Sequence, residues 1–149
     1  MAEDKNQKNM RNLRKVIDAS VLMGVLNVDD KFHSLCLNFF QKVSADNQTA
    51  LVLPMHTIIE INTKLRKLKK NGKWTSNQNF IAEGQEHYEI TAKFIQKIQD
   101  KKLYDLFLHK LGSQDAIYAA IAFIEKIPLV TVDRDFEKVQ DFIQVELLS

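Results

Sequence analysis

Four carboxylates occupy places in the chain where they could do chemistry. Asp18 ends the short apolar run "KVID", and Asp133 follows the apolar run "PLVTV". Glu60 falls in the first turn expected for a helix after the run "ALVLP". Asp115 falls in the first turn of the helix opened by "GSQDAIYAA". Carboxylates gathered in one place repel one another and hold their protons more tightly unless positive charge intervenes. A hard divalent cation is the usual remedy. Mg²⁺ or Mn²⁺ takes oxygen ligands, keeps several waters and is held by a few carboxylates together with substrate phosphate. Such an ion acidifies water and offsets charge on phosphate oxygens.

These acids become neighbours only if the elements around them bring them together. "KVID" reads as a first strand after a polar start, and "ASVLMGVL" continues from it as a helix. Phe32, Leu35, Cys36, Phe39 and Phe40 recur at helical spacing and end in the turn chemistry of "SADNQ". "ALVLP" (50–54) reads as a second strand, followed by a helical stripe of Ile58, Ile61, Leu65 and Leu68. Gly72 and the polar stretch "KNGKWTSNQN" interrupt the pattern. Tyr88, Ala92, Ile95 and Ile98 predict another helix, "LYDLFL" (103–108) a strand, and Ile117, Ala120, Ile121 and Ile124 a helix starting near Ser113. "PLVTV" is the clearest strand and "FIQVELL" contains a short last one. Strands alternating with helices predict an α/β sandwich with a mainly parallel central sheet of about five strands. Ligands bind such sheets beyond the carboxyl ends of the strands, near a topological switch point. Acids at the ends of the first strand and of the "PLVTV" strand would meet at that rim.

Each acid also has a structural reading. Thr57-x-x-Glu60 fits a helix capping box. Asp115 near a helix start favours the macrodipole. Asp135 fits the N-cap of a short helical turn, and Asp18 could be an N-cap at its strand-to-helix junction. One acid alone says little; four in matching topological places say more.

The composition bounds the rest. A chain of 149 residues with ordinary apolar content builds one domain with a single sizeable core. Residues 1–14 are expected to form a flexible polar tail and 15–149 the domain. The formal charge of +2 does not by itself indicate nucleic-acid binding. The one cysteine, Cys36, excludes a disulfide framework within the chain and lies on an apolar stripe, which makes it a core residue. No apolar run of spanning length and no signal-peptide pattern is present, so the expectation is a soluble cytoplasmic protein.

Positive charge gathers in "KLRKLKKNGK" (64–73), where Lys64 and Lys67 follow Glu60 along the same helix. They are either phosphate contacts or a solvated helix face. Arg134, directly after Asp133, either meets a substrate phosphate or pairs with Asp135. His56 and Glu60 share a metal-ligand spacing, but no HExxH motif accompanies them. Trp74 is placed either to stack a base or to pack on lysine stems.

"VIDASVL", "TIIEI", "DAIYAAIA" and "LVTVDRDF", in that order, resemble the PIN-domain nucleases, and most of all the small VapC-type toxins of toxin–antitoxin pairs. The resemblance runs from about Val16 to the C-terminus. It implies a mainly parallel five-stranded sheet flanked by helices and Mg²⁺- or Mn²⁺-dependent cleavage of RNA. Carried over by position, it makes Asp18, Glu60, Asp115 and Asp133 the catalytic acids. Asp18, Asp115 and Asp133 are then the metal contacts, and Glu60 either binds metal or positions and deprotonates the water. Ser20 and Thr131 match hydroxyl positions that orient the acids, with Asp135 beside them. Arg134, Lys64 and Lys67 are the substrate-binding candidates. The resemblance also implies a cognate antitoxin and a homodimer. The competing reading is a PIN-fold module that binds RNA or protein without turnover, because fold does not guarantee activity. A receiver-like Mg²⁺-binding regulator is disfavoured by the lack of a second acid beside Asp18 and by the place of Asp115 on a helix start.

Overall fold

The computed structural model describes residues 13–46, 48–70 and 85–149. Five strands, β1 (Leu13–Ile17), β2 (Thr49–Pro54), β3 (Gln85–Tyr88), β4 (Leu129–Thr131) and β5 (Val145–Leu147), form one sheet in the order β3-β2-β1-β4-β5. Every neighbouring pair is parallel. The helices are α1 (Ala19–Leu26), α2 (His33–Asp46), α3 (Met55–Lys70), α4 (Ala92–Asp100), α5 (Leu103–Leu108) and α6 (Ser113–Glu125). A 3₁₀ turn, Arg134–Val139, follows β4.

Strand alternation divides the core into two layers. Val16, Val52 and Leu129 face a cluster with Phe94, Ile98, Leu103, Phe107 and Ile121 from α4, α5 and α6. Ile17, Leu51, Leu53 and Val130 face the opposite cluster with Leu22, Phe40, Ile61 and Leu65 from α1, α2 and α3. A sheet covered on both sides needs apolar residues at successive positions, and all six residues of β2 are buried. Gly24 lets α1 and α2 approach closely, since a Cβ there would collide with the Cys36 sulfur. Cys36 is a fully buried core residue.

Three expectations about the bounds and types of the elements require correction. Leu103–Leu108 is the helix α5, not a strand. Leu103 and Phe107, four residues apart, are both buried, and that spacing is a helical face too short to tell from strand periodicity. Tyr88 closes the edge strand β3 and is not part of a helix; α4 starts at Ala92, where the Thr91 hydroxyl accepts from the Phe94 amide at 3.1 Å. The first strand begins at Leu13, inside the stretch assigned to the tail. Residues 1–12, and Trp74 and Lys73 with the rest of 71–84, lie outside the described residues.

From β1 the chain steps outward through β2 to β3, then returns to the other side of β1 to form β4 and β5. The switch point therefore lies between the carboxyl ends of β1 and β4, where the chain places Asp18 and Asp133.

Candidate active site

Asp18 follows β1 and caps α1, and only 3% of it is exposed. Its Oδ1 accepts from the Ser20 hydroxyl at 2.7 Å and from the Val21 amide at 3.3 Å. Its Oδ2 accepts from the Thr131 hydroxyl at 2.8 Å. Burial pushes its pKa up to about 6; the hydrogen bonds from Ser20, Thr131 and Val21 oppose that rise, and the charge of Asp115 adds to it. The N-cap reading and the site reading thus coincide in one residue.

Thr131 is fully buried and works in both directions. It donates to Asp18 and accepts from the Asp133 amide at 2.9 Å, so one hydroxyl ties the end of β4 to the end of β1. Ser20 and Thr131 stand 3.5 Å apart. Asp133 caps the 3₁₀ turn, its Oδ1 accepting from the Asp135 amide at 2.9 Å. Asp135 is therefore not the cap. It lies in the first turn and pairs with Lys138 at 3.2 Å. Arg134 is 80% exposed and faces Glu137 at 3.6 Å instead of Asp135.

Asp115, half-buried in the first turn of α6, reports on the others electrostatically. Burial first raises its pKa, then the charges of Asp133, Glu60 and Asp135 raise it further, while Lys64 opposes them. The acids drawn from β1, α3, α6 and the end of β4 therefore share one field. Glu60 lies in the second turn of α3, not the first, because the helix begins directly after Pro54 at Met55. Its carboxylate pairs with Lys64 at 3.0 Å. Lys67 is exposed, about one turn farther along α3.

The capping box does not form. Thr57 lies inside α3, and its buried hydroxyl hydrogen-bonds the buried Tyr118 hydroxyl. His56 packs against the Tyr118 ring, with centroids 5.0 Å apart. Burial lowers the His56 pKa, which Glu60 partly opposes. Sequence reasoning gives neither Thr57 nor Tyr118 a place in the site. The available signal is an aromatic phenol three residues after Asp115, in a helix otherwise rich in alanine and isoleucine.

The donor set fits a hard divalent cation. It consists of carboxylate oxygens, and burial first, with neighbouring negative charge adding to it, disfavours ionisation at Asp18 and Asp115. Among the described residues no three His, Cys, Asp or Glu side chains close into a ready-made cage.

The fold is an open, doubly wound α/β sheet with its acids at the switch point. The chain belongs to the PIN domain family, whose model matches residues 15–141. PIN-domain nucleases generally use divalent metal ions. The fold is similar to a chain of the VapBC2 complex from Rickettsia felis, solved bound to a DNA fragment from its promoter. That likeness has a TM-score of 0.69 and 14% identity, and covers 92% of this chain and 100% of the other. It is also similar to VapC20 of Mycobacterium tuberculosis, a toxin that cleaves the sarcin–ricin loop. There the TM-score is 0.59 and the identity 14%, covering 89% of this chain and 98% of the other. Comparison with curated proteins gives no match.

Proposed function

We propose that the protein is a divalent-metal-dependent endoribonuclease acting as the toxin of a type II toxin–antitoxin pair. The observation that carries this reading is the buried carboxylate of Asp18, held by Ser20 and Thr131 at the switch point, in one field with Asp115, Glu60 and Asp133. Membership of a nuclease family and the likeness of fold to VapC toxins support it.

In this reading Asp18, Asp115 and Asp133 hold Mg²⁺ or Mn²⁺. The ion, when bound, acidifies water and offsets negative charge on the phosphate under attack. Thr131 and Ser20 keep the Asp18 oxygens aimed by donating to both of them, which leaves the carboxylate little freedom to rotate. Glu60, paired with Lys64, would take the proton of the attacking water. Arg134 and Lys67, both exposed, supply cations along the path of the RNA backbone. The protein works in the cytoplasm as a homodimer under the control of a cognate antitoxin. Among the described residues, no helix is long and apolar enough to cross a membrane.

A labelled RNA incubated with Mn²⁺ tests the proposal. The wild-type chain cleaves it, and Asp18→Asn or Asp115→Asn lowers the rate by about 10³-fold, the size expected for loss of one preorganised electrostatic group. Cleavage unchanged in both variants would remove the assigned site. RNA binding without turnover at any divalent ion would identify a binding module instead.

A further inference from the structure

Asp18, Glu60 and Asp115 come from three separate segments, and apolar packing alone fixes helix ends only loosely against one another. One buried phenol connects the two that carry Glu60 and Asp115. Tyr118 lies one turn after Asp115 on α6 and is 1% exposed. Its hydroxyl bonds the Thr57 hydroxyl, itself fully buried and one turn before Glu60 on α3. Its ring is backed by His56 from the first turn of α3. The neighbouring buried residues of α6 are small or aliphatic, namely Ala116, Ala119, Ala120, Ile121 and Ala122. From this stretch the phenol reaches across to the first turn of α3.

We infer that Tyr118, through Thr57, is a positioning residue that sets the spacing of the two acid-bearing helices α3 and α6. The inference rests on the reading of those acids as the cation site. A buried hydroxyl must find a partner, and here the partner lies in the helix turn before Glu60. A directional bond at that point restricts the tilt of α3 relative to α6. Losing it lets the carboxylates of Glu60 and Asp115 drift apart without emptying the core, because the ring itself remains packed.

The test uses the full chain, Mn²⁺ as the probe, and three readouts: Mn²⁺ affinity by electron paramagnetic resonance titration, RNA cleavage, and thermal midpoint. Tyr118→Phe keeps the ring and removes the hydroxyl. It is expected to weaken Mn²⁺ binding about tenfold and cleavage between about 10- and 100-fold, the range for loss of a group that orients metal ligands. Thr57→Val reproduces the loss, and Thr57→Ser, which keeps the hydroxyl, restores both. The double variant carrying Tyr118→Phe and Thr57→Val together is no worse than either single variant, since both substitutions break one connection. Should Tyr118→Phe fail to fold, the contrast of Thr57→Val with Thr57→Ser carries the result. Wild-type Mn²⁺ affinity in Tyr118→Phe, or equal loss in Thr57→Ser and Thr57→Val, overturns the inference and leaves the cation site standing. A wild-type chain that binds no Mn²⁺ overturns both.

Discussion

The two ends of α6 treat buried charge in opposite ways. At its C-terminal end Glu125 meets Arg14 of β1 at 3.2 Å and accepts from the Tyr88 hydroxyl at 2.7 Å. Arg14 also grips Glu86 of β3 with two nitrogens, at 2.7 and 2.9 Å. Burial pushes Glu125 up, but Tyr88 and Arg14 outweigh it and its pKa falls below the ordinary value. Hydrogen bonding to Glu86 raises Arg14 in turn, against the cost of its burial. At the N-terminal end, about 15 Å away along the helix axis, Asp115 and Asp18 are both raised, and Lys64 is the cation that opposes the rise at Asp115. The same fold pairs its acids where they serve structure and leaves them short of cations at the switch point. A protein can carry such a deficit where a ligand is to supply the missing charge.

The largest effect that separates the two ends is on stability. Arg14→Met leaves Glu86 and Glu125 facing each other without their cation. It should cost about 2–3 kcal/mol, less than for a fully buried pair because Arg14 is partly solvated. Urea unfolding measures the loss, and Mn²⁺-dependent cleavage should survive in whatever fraction stays folded. A parallel fall in cleavage per folded molecule would mean that the two ends are coupled and the contrast is misplaced.

Asp18→Asn should act in the reverse sense. The native carboxyl holds its proton up to about pH 6, whereas the unfolded one releases it near 3.8. Between those values the native state binds more protons, so its contribution to stability falls as pH rises through that window and stays low above it. The stability of the metal-free wild type should therefore fall relative to that of Asp18→Asn as pH rises from about 4 to 6, by on the order of 1–2 kcal/mol, while the variant loses cleavage. Mn²⁺ should raise the thermal midpoint of the wild type and do so far less in the variant. Equal midpoints across the range would mean that Asp18 carries no such burden.

The smallest effect concerns the exposed cations. Lys67→Ala and Arg134→Ala should each reduce the slope of log RNA affinity against log salt by about 0.7 per lost phosphate contact, with little change in thermal midpoint. Filter binding at several salt concentrations measures it. An unchanged slope would assign both side chains to the solvated surface.

Much of the site is legible without the fold. Asp18 and Asp133 stand out because each follows an apolar run, and the sheet order places those runs side by side. Ser20 and Thr131 are expected near the acids and do hold Asp18. The helix α5 reads as a strand because six residues with two buried apolar positions do not distinguish period 2 from period 3.6. The edge strand β3 escapes the sequence because "QEHY" has no apolar alternation; it pairs with β2 on one side only. Thr57 looks like a cap because its spacing to Glu60 fits one, but α3 starts two residues earlier and its hydroxyl turns to Tyr118.

By itself the amino-acid order determined which residues are acidic, that the apolar runs before Asp18 and Asp133 and the run "ALVLP" are strands, and that strands and helices alternate. These are local properties, set by side-chain type and by spacing along the chain. Which hydroxyl meets which carboxylate was decided only in three dimensions. Asp18 and Thr131 are separated by 113 positions, and Thr57 and Tyr118 by 61. Contacts of that kind depend on strand order and helix placement, which no short window of sequence encodes.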